Sequence, residues 1–368
     1  MLFPASLFVR AALSLMFSGL GAHAASMRRA TTCNGHSELC DRSYGNVSFV
    51  GAHDSYAVGT NNLAVNQDYD VTQQLTDGIR MLQMQAHNSS GTIQLCHSSC
   101  LLYNGGTLEA YLTKVKTWMD ANTEDVVTLL IVNIDNLVAS KFGAVFESVG
   151  LDKISYAPTA SALTTAEWPT LATLISNNNR LVTFLDNAAD LTSVPYLIDE
   201  FTNVWETPFD VTDTTFDCSI NRTKSSNTDT QMYLINHFLD KIVLGNAAPD
   251  IDAANTTNAV SGVGSLGTQV GTCVGDYGRA PNFMLVDFYE YGGGSVFQVA
   301  ATINGVTYSP TTPIATPVTS SSSSSSSSSG SSSKSSGGSS VSELLSRSHF
   351  VAALFVFFST LVGAWSVL

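Results

Sequence analysis

The sequence predicts an α/β protein whose parallel sheet closes into a barrel. Three observations carry that expectation. Short Val/Ile/Leu runs without a polar face recur through the body, as expected of parallel strands covered on both sides. Stretches with helical spacing separate them, which is the alternation that builds βα units. The body from about residue 31 to 310 is close to the ~250 residues of a single α/β barrel.

Taken in order, the candidate strands are 48–52, 81–86, 92–96, 126–134, 181–185, 203–205, 232–235 and 283–288. Between them, 108–120 reads as an amphipathic helix with Leu108, Tyr111, Leu112, Val115 and Met119 on one stripe, and 170–177 reads as a second helix. A barrel of this kind gathers its chemistry at the carboxyl ends of the strands, and the residues there are polar in an unusual way. Strand 48–52 runs into His53-Asp54-Ser55-Tyr56, and 92–96 runs into His97. Asn133 and Asp135 lie at the end of the fourth run, Asp186 follows the fifth, Asn236-His237 follow the seventh, and Asp287 lies in the last. Paired imidazoles suit cleavage of a phosphodiester. One takes the proton of an attacking hydroxyl while the other protonates the leaving oxygen, and imidazole titrates close enough to neutrality for both tasks. Such a site also needs positive charge or strong donors at the non-bridging phosphate oxygens. A glycoside hydrolase would instead need two carboxylates, drawn from Asp135, Asp186, Asp287 and Glu290, and would leave the histidines unexplained.

The ends carry addresses. Residues 1–24 combine an early Arg10, an apolar run and Ala22-His23-Ala24, the pattern of a cleaved secretory signal. Residues 311–340 are rich in Thr, Pro and above all Ser, with too few apolar side chains to offset their chain entropy, so they read as a disordered stalk. Residues 341–368 finish in an apolar run from Phe350 with no basic flank, the layout of a glycosylphosphatidylinositol attachment signal. The expected domain is therefore 25–310, exported and held at the outer plasma membrane or cell wall by a lipid anchor.

Composition agrees. A net charge of -14 argues against a nucleic-acid partner, which requires clustered Lys and Arg. Six cysteines in an exported chain suggest three disulfides. Of the 15 pairings possible for six cysteines, closeness along the chain favours Cys33–Cys40 and Cys96–Cys100, leaving Cys218–Cys273. The cysteine spacings do not suit zinc. Four sequons, at Asn46, Asn88, Asn221 and Asn255, fit a glycosylated protein, with Asn46 the least favoured because it lies close to a strand. The expected state is a monomer.

The motif Gly51-Ala52-His53-Asp54-Ser55-Tyr56 resembles the opening of the catalytic X domain of phosphatidylinositol-specific phospholipases C, and the segment Gln74-Leu75 followed by Gly78-Ile79-Arg80 is similar to that family's next conserved stretch. His97 stands where the family's second histidine arrives. The resemblance is strongest to a fungal branch of secreted, anchored barrels. It implies a distorted (β/α)8 TIM-type barrel acting on a phospholipid or phosphoinositol headgroup. His53 would be the general base and His97 the general acid, with Asp54 and Asp287 supporting the first histidine. One departure stands out. Where the family's calcium-dependent enzymes place a metal-binding carboxylate and metal-independent ones an Arg, this chain has Gln83 and Gln85. Strand alternation puts those two on one face and Arg80 on the other. A hard cation loses a carboxylate there, so no metal cofactor is expected. Gln83, Gln85, Asn133, Asp135 and a protonated His237 remain as the groups to meet the substrate. The alternative implied by the two glutamines is a barrel of weakened or lost activity that serves as a surface binding protein.

Overall fold

The computed structural model describes residues 30–60 and 62–318. The secretory signal, the attachment signal and most of the expected stalk lie outside the described residues, among which no helix is long and apolar enough to cross a membrane.

The chain enters the sheet at β1 (Phe49–Ala52), passes through α1 (Val71–Asp77) to β2 (Met81–Ser89), and turns back along β3 (Thr92–Cys96) and β4 (Asn104–Thr107) before α2 (Leu108–Ala121). Next come β5 (Val127–Asn133), α3 (Ala139–Val149), α4 (Leu171–Ser176), β6 (Leu181–Leu185), β7 (Leu197–Asp199), α5 (Glu200–Asn203) and β8 (Val204–Glu206). The last third holds β9 (Met232–Asn236), a hairpin of β10 (Asp240–Val243) and β11 (Asn246–Pro249), α6 (Ala254–Thr257), α7 (Leu266–Tyr277), β12 (Phe283–Val286) and α8 (Ser295–Asn304). Side-chain caps mark several of the helix starts. Asp70 accepts from Thr72 and Gln73, Thr107 from Ala110, and Ser265 from Thr268, each satisfying amides the helix leaves unpaired.

Eight parallel strands form one curled sheet in the order β7-β6-β5-β2-β1-β12-β9-β8. The two terminal strands of that order follow each other in the chain through the single turn of α5, with no ladder between them among the described residues. This is the expected α/β barrel, left open at one seam.

Strand alternation sorts the side chains into two layers. Val50, Leu82, Met84, Leu129, Ile131, Tyr233, Ile235, Met284 and Val286 pack outward with Leu75, Leu112, Phe142, Val270 and Phe297 of the helices. Phe49, Met81, Leu130, Phe184, Leu234, Phe283 and Leu285 pack together on the inside. Gly51 belongs to the inner set, and a Cβ there would sit 3.0 Å from Leu285 and 3.2 Å from Met81, so only glycine lets the neighbours close up beneath residue 53.

The structure departs from the sequence expectations in several places. Strands β4, β7, β10 and β11 were not foreseen: β4 is Asn-Gly-Gly-Thr, a loop by composition, and β7 is too short to show a period. Residues 311–318, assigned to the stalk, lie on the barrel. Tyr69 donates to Thr316 O at 2.6 Å, the amides of Ala315 and Val318 donate to Asp77 and Asp68, and Ile314 packs on the core. Asn46 closes a 3₁₀ turn ahead of β1 and is as exposed as the other three sequon asparagines. Disulfides join Cys33 to Cys40, Cys96 to Cys100 and Cys218 to Cys273.

Candidate active site

The inward rows end in polar residues. Two positions beyond Gly51 is His53, beyond Gln83 is Gln85, beyond Phe184 is Asp186, beyond Val204 is Glu206, and beyond Leu285 is Asp287. Period two alone thus lays a polar floor above the apolar interior. A cleft of about 620 Å³ opens over it, lined among others by His53, Gln85, His97, Asp186, Glu206 and Phe238.

His53 is held on three sides. Its Nδ1 donates to Asp287 Oδ1 at 2.9 Å, which leaves Nε2 facing the cleft. The ring stacks on Phe238 with centroids 3.7 Å apart and planes within 5°. Asn66 Nδ2 lies 3.1 Å from both oxygens of Asp287, and Gln67 Nε2 donates to the carbonyls of His53 and Val286, so the β1–α1 loop clamps both partners. Burial opposes a charge on His53, but the carboxylates of Asp287 and Asp54 outweigh it and raise its pKa to about 9.

Asp54 joins the two histidines. Its backbone adopts a positive φ of 39°, the tight turn that ends β1. Its Oδ2 lies 4.0 Å from His53 Nε2 and 3.6 Å from His97 Nε2. His97 donates from Nδ1 to Ala64 O at 3.0 Å, which aims its other nitrogen at Asp54. Burial raises the Asp54 pKa, opposed by both imidazoles.

The glutamines serve the same carboxylate. Gln85 Nε2 donates to Asp54 Oδ2 at 2.8 Å while its Oε1 accepts from the Ser98 amide, and Gln83 Oε1 accepts from the Asp54 amide at 2.7 Å. Arg80 lies away from them, paired with Asp125 at 2.9 Å and stacked on Trp118. The donor set does not fit a divalent cation. Positions 83 and 85 supply no carboxylate, both amide oxygens are engaged by backbone N–H groups, and no group of three or more His, Cys, Asp or Glu among the described residues is arranged to hold a metal.

The remaining expected site residues separate. Asn133 lines the cleft but spends its amide on Leu137 O and Asn187. Asp135 is off the cleft and accepts from the Asn88 amide at 2.6 Å, tying down the β2–β3 hairpin. His237 is corrected outright. Asn236 takes the inward place at the end of β9, so residue 237 points outward, fully buried, with Gln269 Oε1 at 2.7 Å from Nδ1 and Thr257 O at 2.7 Å from Nε2. Burial drives its pKa down to about 4, and it offers the cleft no charge. The carboxylate pair of a glycosidase is not assembled either, since Asp287 is committed to His53 and neither Asp135 nor Glu290 lines the cleft.

Sequence reasoning missed several groups. Glu206 ends β8 and Phe238 lies two residues beyond the inward Asn236, so both were open to the period-two argument, whereas Asp240 opens the unforeseen β10 and Asn66 and Gln67 sit in a loop with no such signal. Arg222 is the sole Lys or Arg among the described residues lining the cleft. It pairs with Glu206 through Nε and Nη2 and covers Phe209 at 4.4 Å. Behind it, burial and the charge of Glu206 hold Glu200 well above the usual carboxylate range.

The family model described as PI-PLC X 1 matches residues 39–304. A PI-PLC X domain-containing protein of Arthroderma benhamiae is 46% identical over 277 residues, covering 74% of this chain and 90% of the relative. An uncharacterized secreted protein of the same organism is 48% identical over 286 residues, covering 75% of this chain but only 65% of its own length. A PI-PLC X domain-containing protein of Arabidopsis thaliana is 26% identical, over 65% of this chain and 55% of that one. Among solved structures, phosphatidylinositol-specific phospholipase C from Listeria monocytogenes has a TM-score of 0.48 at 13% identity, covering 71% of this chain and 94% of that one, a likeness too loose to bear on function. From the family match and the relative covered almost end to end, the chain belongs to the PI-PLC X domain family.

Proposed function

We propose that this protein is an extracellular phosphoric diester hydrolase of the phospholipase C type, acting on a phospholipid or glycolipid headgroup such as phosphoinositol. One observation carries the reading: the Nε2 atoms of His53 and His97 both approach a single oxygen of Asp54 at one edge of the cleft. Once His53 has released the proton that Asp287 and Asp54 favour on it, an attacking hydroxyl gives its own proton to His53 Nε2 as the new phosphorus–oxygen bond forms. The bond to the leaving lipid oxygen breaks, and that oxygen takes a proton from His97 Nε2. Asp287 holds the His53 tautomer and stabilises the imidazolium that results, while Asp54 keeps the two rings in register.

Export and anchoring complete the proposal. The signal and attachment sequences, three disulfides and four exposed sequons all suit a glycosylated monomer tethered to the cell surface by lipid. The test is release of phosphorylated headgroup from phosphatidylinositol vesicles by the secreted protein, with and without chelator. Turnover that resists chelation and disappears in His53→Ala supports the reading, and equal rates for the two proteins remove it.

A second reading, a binding barrel with little or no turnover, is favoured by the commitment of both ends of the Gln85 amide within the protein and of Arg222 to Glu206. Saturable binding of inositol phosphate without product release would select it.

A further inference from the structure

Resting on the phosphodiesterase reading, we infer that Asp240 is an additional substrate-binding residue: it enters the complex as the neutral carboxylic acid and donates its O–H to a non-bridging oxygen of the phosphodiester. Asp240 starts β10, with its amide donating to Val211 O at 2.9 Å, and its side chain lines the cleft although the residue is only 7% exposed. No described residue donates to its carboxylate. Its neighbours among the cleft carboxylates differ: Asp287 accepts from His53 and Asn66, and Asp54 accepts from Gln85. A carboxylate set this deep in the wall with no protein donor is open only to the cleft, so a ligand that fills the cleft takes the place of its water and must supply its hydrogen-bond partner.

Charge balance says what that ligand does. Asp287, Asp54 and Asp210 face Asp240 with their charge, and His53 is the cation opposing them. An incoming phosphodiester adds another negative charge to a site where Gln83 and Gln85 supply none of the opposite sign. Proton uptake by a carboxylate offsets that charge, and Asp240 loses least by it, because it has no protein donor and, unlike the exposed Asp210, is buried. Burial, then the field of Asp287, already lifts Asp240 to about 7, so the proton is available near neutrality. Neutral Asp240 also removes one of the fields holding a proton on His53, which favours its action as a base.

The test reads protons as well as rates. Glycerophosphoinositol, a soluble phosphodiester that does not titrate near neutrality, is bound to His97→Ala at pH 8 in two buffers of different ionisation enthalpy. Calorimetry is expected to show uptake of about one proton per ligand, falling close to zero in His97→Ala/Asp240→Asn. In the otherwise native protein, Asp240→Ala is expected to lower kcat/KM by about 10²–10³-fold, the loss typical of one transition-state donor. Asp240→Asn, a near-isosteric donor that cannot ionise, retains most of the rate and extends activity to higher pH. Equal proton uptake with and without Asp240, absence of binding, or wild-type kinetics in Asp240→Ala overturns the inference. Failure of wild type to exceed His53→Ala overturns the phosphodiesterase reading instead, whatever the calorimetry shows.

Discussion

The two walls of the cleft are built on opposite principles. On the wall of β1, β2 and β12, the catalytic groups are tied to fixed protein partners: Asp287 to His53 and Asn66, Asp54 Oδ2 to Gln85, His97 to Ala64 O. On the wall of β6 and β8, Glu200, Glu206 and Asp186 crowd around the lone cation Arg222, and burial raises both Glu200 and Asp186. The first wall fixes proton positions and suits bond cleavage. The second balances charge and leaves one guanidinium edge over an aromatic face, which suits recognition of a hydroxyl-bearing headgroup.

Breaking the first wall is expected to have the largest effect. His97→Ala should lower turnover of a lipid substrate by about 10²–10⁴-fold, the range for loss of a general acid. With a nitrophenyl leaving group, which departs without a proton, most of that loss should vanish. A uniform loss on both substrates would assign His97 to binding. Breaking the second wall should act on folding. Arg222→Ala strands Glu206, which is 2% exposed, and should cost about 1–3 kcal/mol in urea unfolding, at the modest end for an ion pair because the arginine is one-third exposed. Adding Glu206→Gln should return most of it.

His237→Gln sharpens the contrast between cleft and core. It should leave turnover within about two-fold while lowering stability by about 1–3 kcal/mol, because its partners are structural. A large loss of turnover at unchanged stability would restore residue 237 to the site. The smallest effect is a pH slope. The folded state holds the His53 proton more tightly than the unfolded chain, so that contribution is complete below about pH 6.5 and is lost as pH rises through about 9. Melting temperature should therefore decline across that window, and less so in Asp287→Asn, which weakens the hold on the proton.

Much of this was legible before any coordinates. Apolar runs without a polar face announced parallel strands, and the motif at residues 51–56 placed His53 at a strand end. Period two carried Gln83 and Gln85 to one face and Arg80 to the other, as the structure has them. The same rule, applied to β9, would have turned His237 away from the cleft, because Asn236 occupies the inward place at the end of that strand. What stayed hidden was the loop chemistry. Asn66 and Arg222 reach the cleft, and Gln67 clamps the backbone behind it, from segments with no repeat and no regular spacing.

By itself the sequence determined the layers, since alternation and helical stripes are local properties of the covalent chain and survive any choice of neighbour. Which carboxylate meets which imidazole was decided only by the tertiary structure. Asp287 lies 234 positions from His53, and their 2.9 Å contact exists because β12 and β1 pair in register within a curled sheet. Ionisation followed the same course: burial and proximity, neither written in residue order, push one histidine up to about 9 and another down to about 4.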